Sequence, residues 1–433
     1  SQHAESVICN NLVNKNGSSN SSTNCNLIPN ERGFKMAFLN IVSLPKKLDE
    51  LRHSMHQKNI DLLALNETRL DTSFTDNQVC LNGYDIIRKD RSRSGGGVCI
   101  FLRSSINYKI RSDLISTDLE AVCVEITKPH SRPFIVTTVY RPPNATSDFF
   151  DHLEKLIQQI DDENKEMYLL GDLNCDMLKK EALQNTSTMK LNSLYRLYQL
   201  FQLIEEPTRI TMKSSSLIDH IATNTPEKIS HSGVIHTGMS DHSIIFAIRK
   251  IRIIEKKENK TIEMRNMKKF DKGRFLDELL TQHWEYVYFF GNDPNAMWEI
   301  WKDLFLEVLD KHAPLQRKKI RSNKIPWITS QIKNLINTRD KLKIKATISK
   351  SETDWVNYKA ARNKVNIKLR NAKQNYYSTK IADQNCNPKE AWKTINNLLG
   401  KKPKQTMVNE LDVNENILQD PQEIVEGFNE HFS

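Results

Sequence analysis

The sequence predicts a mixed-sheet α/β domain over roughly residues 35–250, followed by a basic, mainly helical region. Three observations carry that prediction. Short apolar runs alternate with amphipathic helical stretches early and with hairpin patterns later, the signature of a sheet covered by helices. One of these runs, Met167-Tyr168-Leu169-Leu170, reads as a buried strand and ends on Gly171-Asp172-Leu173-Asn174. Charge is also unevenly placed: the net +10 falls entirely after residue 250, and residues 311–404 alone carry +19. A basic block of that density points to a polyanion, most often nucleic acid, against the alternative of a solvated helical face.

The 433 residues suffice for two or three domains. With 38% apolar and 27% charged residues and a mean hydropathy of −0.58, no apolar run approaches the ~18 residues of a membrane span. The start, Ser1-Gln2-His3-Ala4-Glu5, is neither a signal peptide nor an initiator Met and reads as a fragment or processed gene product. Cys9, Cys25, Cys80, Cys99, Cys123, Cys175 and Cys386 are odd in number, scattered and without a Cys-x-x-Cys pair. That pattern supports neither a zinc knuckle nor a disulfide framework, and it suits a reducing compartment.

Residues 1–35 are Asn/Ser-rich and read as a disordered lead-in. Lys35 to Ile41 is a strand ending near Asn40, and Lys46 to Gln57 is a helix with Leu48, Leu51 and Met55 at helical spacing. Asp61 to Leu65 is a strand that delivers Asn66-Glu67-Thr68. Tyr84 to Ile87 and Val98 to Leu102 form a hairpin, and Gly95-Gly96-Gly97 between them reads as a mobile turn. A strand at Val122 to Ile126 precedes one at Phe134 to Tyr140, which stops at Arg141-Pro142-Pro143 because proline cannot join a central ladder. Phe149 to Ile160 is an amphipathic helix, Gly171 lets the chain turn, and Met189 to Leu203 is a second helix. The polar segment Pro207-Thr208-Arg209-Ile210-Thr211 leads to Leu217-Ile218-Asp219-His220-Ile221. Strands at Ser232 to Ile235 and Ser243 to Ile248 flank Ser240-Asp241-His242. Residues 251–269 read as a charged linker and 270–433 as a basic helical connector. Within the connector, 327–385 forms two helices broken near Ser349–Thr353, with Trp355, Tyr358, Val365 and Leu369 as core candidates.

Polar groups close nearly every strand: Asn40, Glu67, Tyr140, Asp172 with Asn174, Asp219, and Asp241 with His242. One acid at a strand end means little, but acids and amides at so many suggest convergence on one face. Carboxylates and amides without thiols favour Mg²⁺ over zinc. With a His and a Tyr for the phosphate, the set suits metal-assisted phosphodiester hydrolysis. Taken singly, Asp219 in Leu-Ile-Asp-His-Ile is costly to bury unless paired, whereas Tyr140 alone would most often be a packed strand-end aromatic.

The order Asn40, Asn66-Glu67-Thr68, Tyr140-Arg141-Pro142-Pro143, Gly171-Asp172-Leu173-Asn174, Leu217-Ile218-Asp219-His220, Ser240-Asp241-His242 resembles the endonuclease/exonuclease/phosphatase superfamily. Within it, the chain is similar to the apurinic-type endonuclease domain of LINE-type, jockey-like non-LTR retrotransposons, over about residues 36–250. The basic region with Pro326-Trp327-Ile328, Arg362-Asn363 and Tyr376-Tyr377 resembles the connector before the reverse transcriptase, and no polymerase Tyr/Phe-Ala-Asp-Asp signature precedes Ser433. The resemblance implies a polyprotein truncated before the polymerase, and a four-layer α/β sandwich of two packed mixed sheets flanked by helices.

It also implies roles. Glu67 with Asn40 would hold Mg²⁺ (or Mn²⁺), Asp241 would serve the metal or the leaving group, and Asp172 would deprotonate the attacking water, which Asn174 would hold together with the developing phosphorane oxygen. His242, held by Asp219, would donate to the phosphate beside Tyr140. Arg141, Thr208, Arg209 and Ser240 would contact DNA. The product would be a nick with a 3′-hydroxyl for target-primed reverse transcription. Target DNA, and element RNA on the connector, are the implied partners, with no membrane, no small-molecule cofactor, and a nuclear and cytoplasmic location. After Asn40, Val42 departs from the usual polar or basic residue, which removes a secondary DNA or water contact. Two alternatives stand beside this reading: an abasic-site or other phosphoesterase of the same superfamily, and a non-catalytic nucleic-acid-binding relic.

Overall fold

Among the described residues, fourteen strands build the part of the chain that holds the site. They are β1 (Phe34–Asn40), β2 (Leu62–Asn66), β3 (Tyr84–Lys89), β4 (Val98–Arg103), β5 (Asn107–Ile110), β6 (Ala121–Thr127) and β7 (Phe134–Tyr140), then β8 (Glu166–Asp172), β9 (Phe201–Gln202), β10 (Arg209–Ile210), β11 (Ser215–Ser216), β12 (Asp219–Thr223), β13 (Ile229–Ile235) and β14 (Ile244–Arg249). The computed structural model describes residues 28–29, 31–57, 59–127, 132–250, 261–290, 293–319, 325–383, 388–400, 411–413, 416–418 and 421–432.

Two six-stranded mixed sheets form, in the orders β13-β14-β1-β2-β4-β3 and β5-β6-β7-β8-β12-β9. Each contains one parallel pair, β1 with β2 and β7 with β8. A parallel pair needs a crossover, and a helix supplies it in both sheets: α1 (Leu44–Gln57) and α2 (Asp148–Asp162). The alternation along each strand then decides the layers. Leu39, Leu63 and Leu65 of the first sheet face Leu48, Leu51 and Met55 of α1. Ile135, Val139 and Leu169 of the second face Leu153, Leu156 and Ile157 of α2, joined by Leu191 and Leu194 of α3 (Thr186–Leu197). Between the sheets Phe34 meets Phe134 edge-on at 5.2 Å. The result is two mixed sheets flanked by helices, as the sequence predicts.

Because all four strands of the parallel pairs run the same way, their C-terminal ends share one edge of the sandwich. The opposite edge is fastened by Glu166, which accepts from Arg249 (Nη2–Oε2 3.0 Å), Lys228 (2.7 Å) and Tyr168 (2.6 Å). Burial pushes the Glu166 carboxyl up, but these bonds outweigh it and hold it below its ordinary value.

Several expectations need correction. Gly171 does not turn the chain: it lies inside β8, where an added Cβ would stand 1.9 Å from the Val139 carbonyl oxygen of β7. The Gly95–Gly97 turn is pinned, its Gly96 and Gly97 carbonyls accepting from Arg69 N (2.9 Å) and Thr68 N (3.1 Å). The helix expected to Leu203 stops at Leu197, and Phe201–Gln202 form an edge strand instead. Most of the Asn/Ser-rich lead-in lies outside the described residues, but Ile28 is buried in the first core and Phe34 already belongs to β1.

Ser1–Lys250 with Ile325–Ser433 form one compact unit and Ile251–Lys324 a second. In the second unit β15 (Thr261–Arg265) pairs with β16 (Leu315–Lys319), so the described part of the expected linker is a strand followed by a single 3₁₀ turn at Met267–Lys269. This unit also holds α4 (Lys272–Leu280) and α5 (Pro294–His312), where Trp298, Trp301 and Phe305 stack. In the first unit α6 (Ser330–Ser349) and α7 (Glu352–Ala382) make an antiparallel pair broken at Lys350, which sits in the left-handed region at φ 52°. Trp355, Tyr358 and Val365 are buried in it, and Trp327 packs on Tyr376 and Tyr377. The pair is docked on the sandwich: Arg339 of α6 forms a buried bidentate pair with Glu50 of α1, and Lys373 of α7 meets Asp49 at 2.9 Å. Among the described residues no helix is long and apolar enough to cross a membrane.

Candidate active site

A cleft opens at the shared edge of the two sheets, lined by Val42, Glu67, Arg69, Tyr140, Pro143, Asp172, Asn174, Arg209, Asp241 and His242. Strand register places its chemistry. Asn40 is opposite Asn66 at the ends of β1 and β2, and Tyr140 and Asp219 both flank Asp172 at the ends of β7, β12 and β8. The chain leaves these ends in strained geometry. Val42, Glu67 and Asn174 have φ of 49°, 50° and 50°, a left-handed conformation that is especially costly for a β-branched residue.

Asn40 Nδ2 bridges the two sheets, donating to Asp172 Oδ2 (2.8 Å) and Glu67 Oε1 (3.0 Å). Glu67 also accepts from Arg69 (2.9 Å) and the Tyr140 hydroxyl (3.3 Å). Burial pushes the Glu67 carboxyl up, and the bonds from Asn40 and Arg69 overcome this and lower it. Burial, then the neighbouring Asp219 carboxylate, push Asp172 up from its ordinary value toward the range of a general base at neutral pH. Asn174 takes Asp172 Oδ1 on its backbone N–H (3.1 Å) and gives its amide to the Arg141 carbonyl (2.7 Å). Burial and the Glu67 charge raise the Tyr140 phenol, so it stays a neutral donor.

His242 Nδ1 lies 2.9 Å from Asp219 Oδ2, and its Nε2 lies 3.9 Å from Asp172 Oδ2. Burial works against an imidazolium here, but the Asp219 charge wins and raises its pKa above the usual histidine value. The Asp172, Asp219 and His242 donor atoms are close enough to hold a metal ion. His242 Nδ1 is already taken by Asp219, so the carboxylate oxygens of Glu67 and Asp172 are the better hard-cation set, while Asn40 presents Nδ2 to both and its Oδ1 accepts from Val42 N at 3.2 Å.

Eight of the twelve expected site residues line or directly brace this cleft as acids, amides, ring donors or cation: Asn40, Glu67, Tyr140, Asp172, Asn174, Asp241, His242 and Arg209, the last paired with Asp241 at 3.0 Å. Asp219 lies behind His242. The other three expected DNA contacts are turned inward. Arg141 is buried, bonded to Ser187 (2.9 Å) and held over the Phe149 and Phe150 rings. Thr208 Oγ1 accepts from Asp219 N (3.2 Å), and Ser240 Oγ donates to the Asn40 carbonyl (2.7 Å). These three pack beneath the cleft instead of facing solvent. Sequence reasoning passed over Arg69, which pairs with Glu67, and Asn66, whose Nδ2 donates across the sheets to Val139 O at 2.8 Å. Both stood in the Asn66-Glu67-Thr68-Arg69 run, but nothing in a run shows which amide faces another sheet.

A two-sheet sandwich with acids, amides and a carboxylate-held imidazole at one edge defines a class of phosphoester hydrolases. The family model for the Endonuclease/Exonuclease/phosphatase family matches residues 22–242, half of the chain, and the chain belongs to this family, whose members are divalent-metal-dependent hydrolases of phosphodiester bonds. A second model, the Female sterile protein K10 C-terminal domain, matches residues 328–387. No curated protein matches the sequence. Among solved structures, the endonuclease domain of TRAS1, a telomere-specific non-LTR retrotransposon, is 14% identical, with 51% of this chain and 100% of that one covered and a TM-score of 0.40. A 3′ phosphatase from Neisseria bound to a product DNA hairpin is 16% identical (50% and 100% covered, TM-score 0.40). An AP endonuclease from Archaeoglobus fulgidus is also 16% identical (50% and 100% covered, TM-score 0.39).

Proposed function

We propose that the chain is a Mg²⁺-dependent endonuclease that nicks DNA for a non-LTR retrotransposon, leaving a 3′-hydroxyl primer. The observation that carries this reading is the meeting at one cleft of Asn40, Glu67, Tyr140, Asp172, Asn174 and the Asp219-held His242. The strand-end motif order and the docked basic helices support a nucleic-acid substrate over a small phosphate ester.

Glu67 and Asp172 fit a divalent cation as two carboxylates at one cleft that share a neutral amide donor, and Asn40 would join them as a ligand with its amide turned to present Oδ1. The ion would supply charge against the phosphate oxygens and the leaving group. Asp172 accepts the proton of the attacking water as its oxygen bonds to phosphorus and the P–O3′ bond breaks. Asn174 orients Asp172 and the water. His242 Nε2 and the Tyr140 hydroxyl donate to the non-bridging oxygens, and Asp219 keeps the imidazole charged and oriented. The 3′-oxygen leaves as an alkoxide and takes a proton from solvent to become the hydroxyl.

The test is conversion of supercoiled plasmid to open circle by the full chain with Mg²⁺, beside Glu67→Ala and His242→Ala. Nicking that needs the cation and falls at least 10²-fold in both variants is expected. A folded wild type that does not nick refutes the reading. An abasic oligonucleotide cut in preference to plasmid would assign the same site to repair chemistry.

A further inference from the structure

Beside the cleft the molecule gathers cations with too few anions. Ile210 of the β10–β11 hairpin packs against Ala346, Trp355 and Tyr358 of the helix pair, while its neighbour Arg209 holds Asp241 at the cleft. Just beyond that contact, Lys343 Nζ of α6 lies 5.2 Å from the Trp355 ring centre and 5.1 Å from that of Tyr358. Arg362 of α7 lies 6.0 Å from the same Tyr358 ring. From α1, Lys47 Nζ donates to the Ile41 carbonyl, next to the cleft-lining Val42.

The nearby acids are already engaged. Glu50 is taken by Arg339, and Asp241, which attracts both Lys47 and Lys343, is paired with Arg209. Among the described residues neither Lys343 nor Arg362 has a carboxylate partner; each has aromatic faces instead. Burial first, with Arg362 adding repulsion, brings both lysines down to about 8. Buried cations that repel one another are costly until an anion joins them.

We propose that Lys47, Lys343 and Arg362 form a second phosphate subsite, shared by the sandwich and the helix pair, that takes a backbone phosphate of the strand next to the scissile bond. Lys47 and Arg362 are half-buried and reach solvent, whereas Lys343 is buried and adds charge without contact. This rests on the nucleic-acid reading of the cleft. It makes the helix pair a fixed wall of the substrate track and not a tether.

The experiment is fluorescence anisotropy of a labelled 20-base-pair duplex with the full chain in EDTA, across a salt series. Lys47→Gln/Arg362→Gln is compared with Lys364→Gln/Lys368→Gln, which removes two exposed cations from another flank of α7. The first pair is expected to weaken binding about tenfold or more and to lower the salt slope by about 0.9, the loss of one phosphate contact, with a clearly smaller change in the control. Equal losses in the two pairs overturn the subsite. If the first pair does not fold, Arg362→Glu replaces it and is expected to weaken binding more than Lys368→Glu; equal weakening overturns the proposal. Displacement of the duplex by millimolar inorganic phosphate, equal in wild type and Arg362→Gln, also counts against it. Plasmid nicking read in parallel separates the two claims. Selective loss of binding without any wild-type nicking keeps the subsite and removes the endonuclease, and nicking with equal losses does the reverse.

Discussion

Replacing Arg339 with methionine tests whether the helix pair belongs to the nuclease body. The side chain is 1% exposed and makes four charged contacts: to Glu50 Oε2 (3.0 Å) and Oε1 (2.6 Å), and to Asp340 Oδ1 from Nη2 (2.7 Å) and Nε (3.0 Å). Asp340 Oδ1 also accepts from Gly238 N at 2.7 Å, in the loop leading to His242. Methionine keeps the stem and removes the charge, so two buried carboxylates are left facing each other. Breaking a buried pair from one side costs roughly 3–5 kcal/mol. Protonation of one orphaned acid limits the loss: bringing a glutamate from its ordinary pKa to 7 costs about 4 kcal/mol at about 1.36 kcal/mol per unit. The assay is urea unfolding of the full chain at pH 7, in a double-mutant cycle with Glu50→Gln. A loss of about 4 kcal/mol is expected for the single variant, with about 2 kcal/mol regained in the double. The penalty should shrink toward pH 4.5, because an acid whose folded pKa is raised destabilises the fold only above its unfolded pKa. A loss under about 1 kcal/mol, additive with Glu50→Gln, would refute the docking.

Three further outcomes follow from single positions. Asp219→Asn removes the charge that keeps His242 an imidazolium; the His242 pKa read by NMR should fall and nicking should drop about 10²–10⁴-fold, and an unchanged pKa would sink the pairing. Gly171→Ala would drive a Cβ into the Val139 carbonyl of the next strand, so a loss of about 3 kcal/mol or more in urea and loss of nicking are expected, against the tolerance expected of a surface turn. His220 is buried neutral, its pKa pushed down to about 4 by burial, with ring nitrogens 3.2 Å from the Tyr195 hydroxyl and 3.0 Å from the Cys175 carbonyl. A depressed folded pKa gives stability that is complete above about 6.5 and lost as pH falls toward 4, about 3 kcal/mol in all, so His220→Gln should flatten the acid limb of a urea-midpoint series between those values.

The strand ends were legible because each closes an apolar run on a residue that has no packing role: Glu67, Asp172 and Asp219 announce themselves by being acids where burial should be apolar. The two parallel pairs were implied by a helix after β1 and another after β7. Direction of facing was not legible. Arg141 and Thr208 look like surface polar residues in a string, and only packing shows Arg141 over two phenylalanine rings and Thr208 bonded to the Asp219 backbone. Nor was the docking of α6 and α7: their charge count suggests a solvated tether, yet Arg339, the one arginine of α6, is among the most buried side chains of the molecule. A charge that sits 289 residues from its partner leaves no periodic trace.

Gly171 shows how local sequence and catalytic geometry are joined. Its missing side chain leaves the Val139 carbonyl open on that flank, and Asn66 reaches the same carbonyl from the other sheet at 2.8 Å. Thr138 Oγ1 closes the link by donating to Asn66 Oδ1 at 3.2 Å. Glu67 follows Asn66 directly and Asp172 follows Gly171 directly, so this buried contact sets the separation of the two carboxylates that Asn40 bridges one residue further out. A buried amide with both ends satisfied is rigid, since each lost bond would leave an orphaned polar group costing about 1–3 kcal/mol. The spacing of the two carboxylates is therefore fixed one layer beneath the cleft, by residues that do not line it.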